Sequence, residues 1–127
     1  MKKELDEKLV AKYPLIFKNR FGDMKETLMC WGFECGDGWY QILDSLCGQI
    51  QNHIDWSHKN QKFDLKWNAE HPDEQRKVRE PVPQVIAVQV KEKFGGLRFY
   101  YDGGDEQIYG MVRMAESMSG VTCEECG

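Results

Sequence analysis

Residues 85–101, VIAVQVKEKFGGLRFYY, decide the fold. Apolar and polar residues alternate on both sides of Gly95-Gly96, which predicts a β-hairpin. With those two glycines at the centre of a type I′ or II′ turn, Phe94 lies opposite Leu97. That register gathers Ile86, Val88, Val90, Phe94, Leu97, Phe99 and Tyr101 on one face, with Glu92 as the misfit. The other face carries Gln89, Lys91, Lys93, Arg98 and Tyr100. One face reads as core and the other as basic, with an aromatic.

Helices flank the hairpin. Downstream, Asp102-Gly103-Gly104 predicts a turn and residues 105–119 a helix, with Ile108, Met111, Val112, Ala115 and Met118 as its buried stripe. Gly120 supplies a stop. Upstream, Trp39, Leu43, Leu46, Ile50 and Ile54 fall on one face of a helix over 39–56, with Asp37 placed to cap it. Gly48 inside that helix implies a neighbour packed close to the backbone. Residues 2–13 give a charged helix with a narrow stripe of Leu5, Leu9 and Tyr13, ended by Pro14. Met29, Trp31 and Phe33 alternate, so a short strand is expected over 27–33. Residues 57–83 are polar and end in Pro-Val-Pro, which predicts a long loop excursion with Phe63, Leu65 and Trp67 as an ordered finger.

The expected architecture is therefore α+β. An antiparallel hairpin, or a small three-stranded sheet, packs against two to three helices in a single domain over 1–127, with a C-terminal CxxC tail. The chain of 127 residues is long enough for a real core. Its net charge of -4 argues against a nucleic-acid binder working through its whole surface. No run approaches the ~20 apolar residues of a membrane span, and MKKELDEKLVAKYP lacks the apolar core of a signal peptide. A cytoplasmic location is expected. There the five cysteines are thiols or metal ligands rather than disulfides.

Four clusters could carry chemistry. Cys123 and Cys126 form half of a tetrahedral zinc site, which Cys30 and Cys35 would complete if the tail folds back beside the loop before the long helix. Lys91, Lys93, Arg98 and Tyr100 form a face suited to phosphate or an acidic partner. Asp37 and Trp39 belong to CWGFECGDGWY, residues 30–40, which reads as a tight core corner or a ligand-pocket mouth whose helix start would accept an anion. Asp102, Asp105 and Glu106 group carboxylates that suit a divalent cation, although capping also explains Asp105. No nucleophile-base pair or phosphate loop is visible, and no catalytic residue is assigned.

MCWGFECGDGWY (29–40) and VKEKFGGLRFYYDGGD (90–105) resemble a group of small bacteriophage and prophage proteins. The resemblance extends to KYPLIF and MAESMSGVTCEECG, and it brings no assigned activity. It implies a phage protein acting inside a bacterium by binding a host factor, for example to inhibit a defence system. A small-ligand binder that sequesters a nucleotide signal, and a metal-dependent hydrolase or nuclease, are the alternatives. The edges of so small a sheet also leave room for a homodimer.

Overall fold

The computed structural model describes residues 1–127. Helix α1 (Lys3–Lys12) leads to strand β1 (Phe33–Glu34), helix α2 (Tyr40–Glu70), strands β2 (Ile86–Lys93) and β3 (Gly96–Asp102), and helix α3 (Glu106–Ser119). Short 3-10 turns at Leu28–Trp31 and Asp37–Trp39 flank β1. One sheet has the order β1-β2-β3, with β1 parallel and β3 antiparallel to β2. The expected α+β architecture with a small three-stranded sheet is present. No helix is long and apolar enough to cross a membrane.

The third strand lies later than expected. Thr27 caps the amide of Met29 with its side chain, which winds residues 28–31 into a 3-10 turn instead of a strand. Gly32 then reverses the chain at a φ of 75°, and pairing begins only at Phe33, opposite Val90. Phe33 packs edge-on to Phe17, with ring centroids 4.9 Å apart. Asp6 of α1 is buried beneath this corner and holds Arg20 through two bonds of 2.9 and 3.2 Å. Arg20 in turn donates to the Cys30 carbonyl.

The hairpin turn is displaced by one residue, for a reason that lies in α3. The amides of Leu97 and Phe99 point away from β2. They donate to Ser119 Oγ at 2.9 Å and to the Glu116 carboxylate at 3.0 Å. Their pairs with Glu92 and Val90 are thus of the non-hydrogen-bonded kind. A two-residue turn closes on a hydrogen-bonded pair, so Leu97 cannot close it. Lys93 and Gly96 do. Phe94 and Gly95 become the central residues, at φ 53° and 81°, the type I′ pattern. Phe94, expected in the core, stands at the tip and is 92% exposed. Glu92, the misfit, accepts the Gly95 amide at 2.7 Å and closes the turn from below.

A bulge at Val88 also changes the far end of β2. It turns Ala87 inward with Val85, both fully buried, and leaves Ile86 and Val88 half-buried. The core closes with Leu43, Leu46, Cys47, Ile50 and Ile54 of α2, Ile108, Val112 and Ala115 of α3, and Val90, Leu97 and Phe99 of the sheet. Met118, expected in the stripe of α3, is 49% exposed.

Helix α2 continues through residues 57–70, where a loop was expected. Beyond Ile54 only Asp64 is buried, so this half has no apolar stripe to read. It also has no Gly or Pro until Pro72. Phe63 and Trp67 are one helical turn apart on one face, not alternate residues of a finger. Residues 71–85 run back along the helix. Arg79 donates to the Asp64 carboxylate through its amide at 3.0 Å and its guanidinium at 2.9 and 3.0 Å. Arg76 lies over the rings of both Phe63 and Trp67, and Asn68 brackets its backbone.

Two predictions follow from this packing. The Arg79 bonds hold Asp64 down to a pKa of about 2, below its ordinary value of about 3.9. A carboxylate lowered by folding stabilises above its unfolded pKa and loses that contribution as pH falls through the folded one. Helical circular dichroism should therefore weaken between pH about 4 and about 2. Asp64→Asn should abolish that component of the titration and leave the rest.

Gly48 has the close neighbour its position implied. A Cβ there would meet the Tyr13 hydroxyl at 3.2 Å. That hydroxyl cannot move freely, because it bonds the Asp44 carboxylate at 2.6 Å. Gly48→Ala should stabilise by about 1 kcal/mol in a Tyr13→Phe background and by clearly less in the wild type. Urea unfolding of the four proteins in the cycle measures the difference.

Candidate interaction face

Lys91, Lys93, Arg98 and Tyr100 share the sheet face that points away from the core, as expected, because the turn displacement preserves the alternation. Lys91 is directly opposite Arg98, and Gln89 directly opposite Tyr100. Like charges placed opposite one another in a sheet repel. None of Lys91, Lys93 and Arg98 enters an ion pair. Glu34, alongside Lys91 on β1, instead accepts from Gln89 at 3.3 Å. Arg98 donates only to its neighbour, the Leu97 carbonyl. Tyr100 is 41% exposed and hydrogen-bonds to no other side chain. The face thus holds three unpaired cations and an open phenol in a chain of net charge -4.

Asp37 and Trp39 do not join that face. Trp39 is 1% exposed and its indole donates to the Thr122 carbonyl at 2.9 Å. It is core, not a ligand contact. The Asp37 carboxylate accepts the Lys2 amide at 2.7 Å and so serves the start of α1. The residues 30–40 form the tight corner, and its glycines have a specific cause. The C-terminal tail lies directly on them: Gly38 donates to the Glu124 carbonyl at 2.7 Å and Gly36 to the Glu124 carboxylate at 3.0 Å. A Cβ at residue 38 would collide with the Cys123 carbonyl. The anion-accepting amides at this helix start are filled from within the chain.

The tail therefore folds back beside the loop, as the zinc expectation required. Cys35 is buried there, and burial pushes its thiol up to about 11. Cys30 is half-buried, while Cys123 and Cys126 are exposed. Within the tail turn the nearby Cys126 amide and thiol and the Glu125 amide lower the pKa of the Cys123 thiol, and the neighbouring Cys123 raises that of Cys126, whose thiol donates to the Gly127 carbonyl. The four thiols do not converge. No three or more Cys, His, Asp or Glu side chains in the chain are grouped to hold a metal ion.

The acidic cluster is likewise dispersed. Asp105 caps α3 through the Ile108 amide at 3.0 Å and meets His53 at 2.8 Å. Burial raises its pKa, but the bonds from His53 and the helix amides outweigh this and hold it below the ordinary carboxylate value. Two surface features were not legible as such. One is Phe94 at the hairpin tip. The other is an open apolar groove of about 360 Å³ between α2 and α3, lined by Ile42, Leu46, Met111, Met114, Ala115 and Met118.

The tail contact gives a direct test. Gly38→Ala should displace the tail from the corner and expose Trp39. The measurement is quenching of tryptophan emission by iodide, with Gly110→Ala as control, since a Cβ at residue 110 meets nothing. Equal quenching in both variants would contradict the tail docking described above.

No protein-family model, no curated protein and no solved structure matches the chain.

Proposed function

We propose that the protein is a non-enzymatic binding protein that docks on an acidic surface of a host bacterial protein through the outer face of its sheet. The observation that carries this reading is the directly opposed Lys91–Arg98 pair, in which neither cation forms a salt bridge, beside an exposed Tyr100. A fold has no use for such repulsion. A partner carboxylate relieves it and gains charge-assisted bonds. Tyr100 supplies the aromatic anchor common at the centre of interfaces. The resemblance to phage proteins supports a partner inside a bacterium, and inhibition of a defence system is the outcome that context favours. The nucleotide-binding alternative is less well supported, because the Asp37-Gly38 start that would line its pocket with Arg98 and Tyr100 is engaged elsewhere.

The test is capture from bacterial lysate by the wild type and by a variant with alanine at Lys91, Lys93, Arg98 and Tyr100. The variant should keep or raise its melting temperature, since it loses a repulsive pair. It should lose the partner that the wild type retains, and the wild-type yield should fall between 50 and 500 mM salt by about tenfold or more, as charge steering is screened. Equal recovery of every protein by both would remove this face from consideration.

A further inference from the structure

Phe94 combines two costs that are offset within the molecule only by a cation–π contact from Lys93. It is one of two central residues of the hairpin turn, at φ 53°, and is the single residue other than glycine with positive φ. A left-handed conformation is unfavourable for a residue with a Cβ, and Asn, Asp or Gly usually fill this place in a type I′ turn. Its ring is also 92% exposed. The turn stands clear of the body: a Cβ on the adjacent Gly95 would meet no atom within 4 Å. The register is set by α3, yet any residue would satisfy that register, and most suitable ones would be polar. A strained, exposed aromatic at a convex apex is the kind of outlier from which function is read.

The surroundings indicate what it meets. Lys93 lies 5.6 Å from the ring centroid, and Lys91 and Arg98 follow on the adjoining face, neither in a salt bridge. A protruding ring needs a concavity, and the cations behind it need anions at its rim. We infer that Phe94 is the anchor of the interface, a plug that enters an apolar pocket rimmed by Asp and Glu side chains on the partner protein. This rests on the proposed binding face and extends it to the tip. A protein pocket fits better than a bilayer. One ring and a few cations are a weak membrane anchor, and the net charge of -4 opposes approach to anionic lipid.

The test places a photoreactive ring at the tip, as Phe94→p-benzoylphenylalanine, in bacterial lysate. Crosslinking should label one protein, at apolar residues of a pocket whose rim carries carboxylates. Unlabelled wild type should compete for the crosslink, and Phe94→Asn should compete about 30-fold less well, the loss expected of an interface hot spot. The same Phe94→Asn chain should melt roughly 3 °C higher, because the turn is relaxed. Full competition by Phe94→Asn overturns the anchor. If the four-alanine face variant then fails to compete, the face stands and the anchor alone falls; if it too competes fully, both fall. Crosslinking to a second copy of the chain, or co-sedimentation with phosphatidylglycerol vesicles that is lost in Phe94→Asn, overturns the protein pocket. A lower melting temperature in Phe94→Asn shows a structural role and overturns it as well.

Discussion

The two amides on the outer edge of β3 govern more of this molecule than their number suggests. An edge strand leaves N–H groups without partners, and a buried one must find a substitute acceptor. Here α3 provides it, with Ser119 and Glu116 standing in for a fourth strand. That exchange fixes how the C-terminal helix lies on the hairpin. It also commits Leu97 to facing α3 with its amide and the core with its side chain. The turn must then close one residue earlier than the twin glycines imply, and Phe94 is driven to the apex. A side-chain contact on one edge thus determines the backbone conformation at the tip.

The same contact bears on how a partner can be engaged. With the β3 edge occupied by α3 and the opposite edge limited to the two residues of β1, the sheet has little backbone to offer for strand addition. The Met1 ammonium further covers β1 by donating to the Phe33 and Cys35 carbonyls. The proposed recognition is therefore one by side chains of the outer face, where Lys91, Arg98 and Tyr100 lie, and not by strand addition.

Much of this was legible in the residue pattern, and the failures have definite causes. Alternation along 89–93 and 97–101 fixed which residues share a face, because period two survives a shift of the turn. It could not place the turn, since Gly95-Gly96 and Phe94-Gly95 differ only in which amides point outward, and that depends on α3. Ile86 was misplaced because a bulge inverts the alternation and leaves no mark in the sequence. The helix over 57–70 was missed because its one buried residue is a charged one, Asp64, whose partner Arg79 comes 15 positions later. Gly48 and the glycines at 36 and 38 did signal close packing. What approached them, a tyrosine hydroxyl just past the end of α1 and a C-terminal tail, was beyond any local pattern. The basic face was visible from sequence; its lack of salt bridges was not.

The glycine corner has a further consequence. The amides of Gly36 and Gly38, at the 3-10 turn that leads into α2, are of the kind that bind a carboxylate. Glu124 already holds them, on a tail that leaves α3 only a few residues earlier. A ligand tethered so closely acts at a local concentration of the order of millimolar or above. A free anion would have to exceed that to displace it. The corner is thus closed from within the chain, by the Glu124 carboxylate on the Gly36 amide and the Glu124 carbonyl on that of Gly38.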